Sequence, residues 1–338
     1  MSGPRALILG CAGPRLSPRE AGFFREADPW GFILFSRNIH SPRQVAQLCD
    51  DLRAAVGRTA PILIDQEGGR VQRLEPPHWP RYLPPLDQMR AARDPMRAMW
   101  LRHRLIAAEL YALGIDVNCA PLADIADDGT HPFLRNRCYG ESPDEVAAAA
   151  RAGADGLLAG GVLPVVKHIP GHGRARVDSH LGLPRVDAAI EELSDHDFAP
   201  FRALADLPMG MSAHVVYDAL DPEAPATLSA EAIATIREEI GFDGLLMTDD
   251  ISMGALSGPV EQRGHAALAA GCDVVLHCNG DGGEMAALAG ACGLLDGDAE
   301  RRANAALALR RSPEDADIEA LRAELDGQLG SAEPGLDP

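Results

Sequence analysis

Basic charge, aromatic side chains, cysteine pairs and long apolar runs are all scarce in this 338-residue chain. Fifty acidic residues face only thirty-one basic ones, a formal net charge of -19, which works against nucleic acid or an anionic membrane as the main partner. Aromatic residues make up 4%, so Ala, Leu and Gly do much of the filling. The seven cysteines are odd in number and form no CxxC pair, which excludes a regular disulfide framework and suits a reducing compartment. No run approaches the roughly 20 apolar residues of a membrane span. The opening "MSGPRALILGCAGPRLSP" breaks at Gly and Pro after a short apolar run and makes a poor signal peptide. A cytoplasmic protein is expected. There is also no low-complexity linker and no second block of closely spaced strands. One domain over residues 1–329 is therefore expected, followed by a loose Gly/Pro/acid-rich tail at 330–338.

What is present is a series of short apolar runs separated by amphipathic stretches. The runs are "ALILG" (6–10), "GFILF" (31–35), "PILID" (61–65), "IDVNCAPL" (115–122), "GVLPVVKH" (161–168), "MGMSAHV" (209–215), "GLLMTDD" (244–250) and "DVVLHCN" (273–279). Each reads as a buried strand. Helices are expected at 41–57, 142–161, 229–241 and 260–272; several begin at Ser and end at Gly, as helix boundaries do. Eight near-continuous apolar strands alternating with helices predict an α/β fold, a single-domain (β/α)8 TIM-type barrel. A doubly wound open sheet is the structural alternative.

In a barrel of this kind the chemistry gathers at the C-terminal ends of the strands. Here those ends carry Asp65, the pair Lys167 and His168, His214, and the pair Asp249 and Asp250. Each has a plain structural reading. Asp65 can cap a turn, Asp249 or Asp250 can start a helix, and His214 can be a hydrogen-bonded core histidine. Burying charge at the ends of apolar strands is costly unless the group is paired or used. Its recurrence on one edge therefore marks a site. The stretch "KHIPGHGRARVDSH" (167–180) adds three histidines, Asp178 and two glycines, Gly171 and Gly173, that suit a loop.

The segments "IDQEGGRVQRL" (64–74), "KHIPGHGRARVDSH" (167–180), "MSAHVVY" (211–217) and "GFDGLLMTDDISMGAL" (241–256) resemble, in order, the single-domain NagZ-type β-N-acetylglucosaminidases of glycoside hydrolase family 3. The resemblance runs from about residue 5 to 295 and implies a (β/α)8-type barrel. It also implies hydrolysis of non-reducing terminal β-linked N-acetylglucosamine with retention, acting on GlcNAc-anhydro-MurNAc-(peptide) fragments in peptidoglycan recycling. By resemblance Asp249 is the nucleophile, His180 the general acid/base and Asp178 the residue that orients it. Chemistry alone permits either Asp249 or Asp250. For Asp178 and His180 to meet, the chain must turn at Ser179. Asp65, Arg73, Arg137, Lys167 and His168 are implied to hold the sugar, with Arg70 a competitor for the place of Arg73. His214 is expected beside the site and His172 to be structural. The family's serine after the second arginine is Cys138 here. No cofactor and no metal are expected, the partner is a small carbohydrate or muropeptide, and a monomer is expected.

Three other functions compete. A metal-dependent hydrolase would use the histidine cluster, but Pro and Gly between His168 and His172 prevent the helix that would put both on one face. A phosphorylase would pass the sugar from Asp249 to phosphate instead of water. A non-catalytic sugar-binding protein would have lost the nucleophile or the dyad, and both are present.

Overall fold

The computed structural model describes residues 3–177 and 182–330. Eight parallel strands form one sheet: β1 (Arg5–Gly10), β2 (Pro29–Leu34), β3 (Ile62–Ile64), β4 (Val117–Asn118), β5 (Leu163–Ile169), β6 (Met209–Ser212), β7 (Leu245–Met247) and β8 (Val275–His277). Each pairs with its neighbours in sequence, and β8 pairs with β1. A parallel bridge between Met247 and Val274 brings β7 against β8 and closes the ring. The protein is a (β/α)8 TIM-type barrel. Apart from Gly330, the expected tail lies outside the described residues.

Each expected strand run contains or overlaps a strand, but the third, fourth, sixth, seventh and eighth strands are at least two residues shorter than their apolar runs. In β4 side chains replace ladder bonds. Asp116 Oδ1 accepts the Ile62 amide at 2.7 Å, and the Asn118 amide exchanges two 3.0 Å bonds with the Gln66 backbone. Pro121 then offers no N–H to the ladder. The strand ends where its hydrogen bonds pass to side chains.

Side chains alternate along the strands as the period of two requires. Ile8, Ile33, Leu63, Val117, Val165, Met209, Met211, Leu245, Met247 and Leu276 fill the barrel. Leu7, Leu9, Phe32, Leu34, Ile62 and Ile64 face the helices. The interior is a packed layer, so whatever binds at the open end meets a floor.

Around it, α1 (Pro18–Ala27) starts with a Ser17–Glu20 capping box, and α2 (Pro42–Val56) stops at Gly57 with φ 67°. The helices α3 (Pro95–Tyr111) and α4 (Pro143–Ala159) pack on each other. The helix expected at 229–241 is α-helical over Ala230–Ala234 and widens into a π turn over Thr235–Glu239. A C-terminal helix, α5 (Ile318–Leu329), is tied to α3 by Arg322–Glu109 at 2.9 Å and Arg97–Glu324 at 2.7 Å.

Leu63 is fully buried in the barrel interior, so Leu63→Ala should lower the unfolding free energy by about 2–5 kcal/mol. Leu309→Ala, at a position 49% exposed, should stay within about 0.5 kcal/mol. Urea unfolding of the two variants checks this, and equal losses would contradict the assignment of the interior layer.

Candidate active site

The strand ends on one face of the barrel converge on a pocket whose lining includes Asp65, Arg73, Arg137, Lys167, His168, His172, Asp249 and Asp250, with Phe35, Phe133 and Met253 among its apolar walls. Asp65 follows β3, and Asp249 and Asp250 follow β7 by one turn. Lys167 and His168 are consecutive in β5, yet both line the pocket. The register of β5 with β6 shifts between Lys167 and Ile169, and this interrupts the alternation that would send them to opposite faces.

One wall is an ion network. Lys167 Nζ lies 3.0 Å from Asp65 Oδ1 and 2.7 Å from Glu67 Oε1. Arg137 forks onto both oxygens of Glu67 at 2.9 Å each. Arg73 reaches Asp65 Oδ2 at 3.4 Å and stacks over Phe35. Glu67 is fully buried and Lys167 is 2% exposed. Burial alone would raise the two carboxyl pKa values. Lys167 and Arg73 around Asp65, and Arg137 and Lys167 around Glu67, outweigh it and hold both well below the ordinary carboxylate range. Burial would likewise discharge Lys167, and Asp65 and Glu67 keep its pKa above the usual lysine value.

The opposite side holds Asp249. Burial pushes its pKa up, but His168, His214 and the Asp250 amide, at 2.8 Å from Oδ1, bring it below the ordinary aspartate value. The group is a carboxylate at neutral pH. His168 is aimed at it. Its Nδ1 donates to Asp124 Oδ2 at 2.7 Å, and its Nε2 lies 4.0 Å from Asp249 Oδ2. Asp124 is fully buried and also accepts the amides of His168 at 3.2 Å and His172 at 2.7 Å. Its pKa is pushed down to about 2, because His168 overcomes the opposing effect of burial.

The structure brings Asp65, Arg73, Arg137, Lys167, His168 and Asp249 together. Asp178, Ser179 and His180 lie outside the described residues. Asp250 faces inward to its own turn. It accepts from the Ser252 amide at 3.1 Å, Ser252 Oγ at 2.8 Å and the Cys278 amide at 3.1 Å, so it braces the segment that carries Asp249. His214 supports the same turn, with Nε2 donating to the Asp250 carbonyl at 3.0 Å. Arg70 does not compete for Asp65; it is exposed and stacks over Phe133, 4.8 Å from the ring centre. Cys138 is buried and its thiol donates to the Leu134 carbonyl at 3.5 Å, leaving the Arg137 fork on Glu67 intact.

Within the histidine-rich stretch His172 also lines the pocket, and its ring lies 5.4 Å from that of His168. Burial, followed by the neighbouring His168, lowers its pKa to about 4 and keeps it neutral. Gly173 serves close packing, since a Cβ there would meet the Ile125 carbonyl oxygen at 1.9 Å. The sequence reading did not single out Glu67 or Asp124, the two buried acids that pair with Arg137, Lys167 and His168. An acid inside "QEGGR" was the one available signal for Glu67.

A model of the glycosyl hydrolase family 3 N-terminal domain matches residues 28–306. The chain belongs to this family. A β-hexosaminidase of Alkalilimnicola ehrlichii is 41% identical over 283 residues, 81% of this chain and 80% of its own length. One of Methylococcus capsulatus is 39% identical over 277 residues, 80% of this chain and 82% of its own. NagZ from Neisseria gonorrhoeae, in complex with N-trifluoroacetyl-D-glucosamine, superposes with a TM-score of 0.84 at 30% identity over 97% of this chain and 99% of that one. The resemblance read from the motifs is thus borne out, and the chain is a glycosidase, a β-N-acetylhexosaminidase of the NagZ type. Among the described residues no helix is long and apolar enough to cross a membrane.

The depressed pKa of Asp124 sets the sign of a pH effect. Its folded value of about 2 lies below the roughly 3.9 of an unfolded aspartate. The stabilisation, on the order of 2 kcal/mol, is therefore complete above about pH 4 and lost as pH falls towards 2. Asp124→Asn should lower the melting temperature at pH 7 by roughly 3 °C, and the gap to the parent should narrow below pH 4. A gap that stays constant down to pH 2.5 would refute this role for the Asp124–His168 contact.

Proposed function

We propose that the protein is a retaining exo-β-N-acetylglucosaminidase that removes non-reducing terminal β-linked GlcNAc, with Asp249 as nucleophile and His180, oriented by Asp178, as general acid/base. The observation that carries this reading is the anionic Asp249 carboxylate in a pocket also lined by Asp65, Arg73, Arg137, Lys167 and His168, polar groups of the kind that hydrogen-bond hydroxyls. A pocket with a filled barrel beneath it admits a chain end, which favours exo action. The N-acylated glucosamine held by the Neisseria gonorrhoeae relative is of the substrate class proposed here.

The reaction has two steps. Asp249 attacks the anomeric carbon while the His180 imidazolium gives its proton to the departing glycosidic oxygen, leaving a glycosyl ester on Asp249. Neutral His180 then takes a proton from water, whose oxygen attacks the same carbon and releases Asp249. The other carboxyls argue for an imidazole in this role. Asp65 and Glu67 are locked between cations, Asp124 is ionised behind His168, and Asp250 is committed to its turn. Asp65, Glu67 and Asp124 are held ionised, and the hydrogen bonds of Asp250 are taken up by its own turn. An imidazole titrates near neutrality and needs no such pKa elevation.

The natural substrate we propose is a GlcNAc-anhydro-MurNAc-(peptide) fragment of peptidoglycan, processed in the cytoplasm. The sequence resemblance supports the substrate. Seven buried free thiols suit the reducing compartment.

A second reading concerns the acid. The Asp124–His168 pair is itself a carboxylate–imidazole dyad, with Nε2 facing Asp249. His180→Ala and His168→Ala separate the two. The acid's removal should cost about 10²–10⁴-fold on a substrate with a poor leaving group and far less on a nitrophenyl glycoside. We expect that pattern for His180→Ala; an equal loss on both substrates would move the role to His168.

Asp249→Ala should leave a folded protein with no measurable turnover of an aryl β-N-acetylglucosaminide, and near-parental activity would remove Asp249 from the mechanism. In phosphate buffer the product should be free N-acetylglucosamine; its 1-phosphate would instead identify a phosphorylase.

A further inference from the structure

Glu67 is the hinge on which two pocket cations turn. Its carboxylate binds Lys167 at 2.7 Å and Arg137 at 2.9 Å, so a shift of the Glu67 main chain carries both with it. That main chain is fixed from outside the barrel. The Glu67 amide donates to the Val71 carbonyl at 2.9 Å. The Glu67 carbonyl accepts two bonds from one guanidinium, Arg102 Nε at 3.0 Å and Nη2 at 2.6 Å.

Arg102 sits on α3 and is fully buried. Its third bond runs from Nη1 to Gln88 Oε1 at 2.7 Å, and its guanidinium lies over the Tyr82 ring at 5.5 Å. Both acceptor oxygens are neutral. A buried cation without a carboxylate partner is costly, and an apolar side chain of similar length would fill the space on a helix that also buries Leu101, Leu105 and Ile106. The chain is shaped to admit the guanidinium. Gly68 has φ 93°, and a Cβ on it would lie 2.0 Å from Arg102 Nη2. The next residue, Gly69, donates its amide to the Tyr82 carbonyl at 3.1 Å. The two-glycine turn after Glu67 thus wraps the Arg102 head.

We infer that Arg102 is a positioning residue for sugar binding, fixing the Glu67 carbonyl and through it the placement of Lys167 and Arg137 in the pocket. The inference rests on the proposed reading that those two cations hold the sugar. Its geometry requires the planar fork, since a lysine ammonium supplies charge but cannot reproduce the paired bonds to one oxygen and the third to Gln88.

The test compares Arg102→Lys, Glu67→Gln, their double variant, and Arg137→Lys. It measures kcat per titrated active site and KM for an aryl β-N-acetylglucosaminide, the calorimetric Kd for N-acetylglucosamine, and the melting temperature. For Arg102→Lys, KM and Kd should rise together by roughly tenfold, with kcat changing much less. In the Glu67→Gln background the same change should add less than about twofold, because the carboxylate it positions is gone. Unchanged KM and Kd, with the loss confined to melting temperature or active fraction, would overturn the inference and make Arg102 a packing residue. So would full additivity in the double variant. If Arg137→Lys itself leaves Kd unchanged, the sugar-binding reading fails, and the positioning inference fails with it.

Discussion

The alternating charge network of Asp65, Lys167, Glu67, Arg137 and Arg73 is the constraint on which the rest of the site depends. Two carboxylates sit among three cations, so the cluster carries one excess positive charge. That excess faces Asp249, and Lys167 is among the groups that lower the Asp249 pKa. Removing Glu67 would leave the buried Arg137 without its carboxylate partner, which costs far more than an exposed pair contributes. The network therefore fixes side chains that would otherwise have many rotamers, and it keeps the pocket polar, ionised and ready for hydroxyl groups without reorganisation.

The barrel makes this cluster possible by placing β3, β4 and β5 side by side. Asp65 and Lys167 are separated by 102 residues in sequence but meet because their strands end on the same face. The clamp between Asn118 and Gln66 joins two strand ends through side chains. Gln66 also accepts the amides of Arg73 at 2.8 Å and Leu74 at 3.0 Å. The loop after β3 is thereby folded back so that Arg73, eight residues beyond Asp65, returns to it. The same loop carries Glu67 between the barrel and the guanidinium of Arg102.

This explains which parts of the site were legible in the sequence. Asp65, Lys167, His168 and Asp249 stand at the ends of apolar runs, where charge is conspicuous, and the barrel followed from the number and alternation of those runs. Glu67 was not legible, since its partners are 70 and 100 residues away and the glycines after it read as an ordinary turn. Asp124 lies two residues past the run that ended at Leu122, one acid among several in "ADIADD". Arg102 was not singled out either, since its partners Glu67 and Gln88 lie on other segments of the chain. The strand lengths were overestimated where side chains such as Asn118 take over the ladder, a substitution that periodicity does not register.

The network also limits how a proton can be delivered. A carboxylic acid that must donate near neutral pH needs an apolar setting that raises its pKa. Around Asp249 the setting is the reverse, because cations and fixed amides hold Asp65, Glu67, Asp124 and Asp249 all in their charged forms. A catalyst that shares this field has to be active from an unperturbed starting point, and imidazole is the side chain with that property. The field of excess positive charge also works against an imidazolium, so the proposed acid needs its own carboxylate. On the reading proposed above, in which ionised carboxylates hold the sugar, a carboxylic acid is given up as proton donor, and a histidine–aspartate pair such as the proposed Asp178 and His180 takes its place.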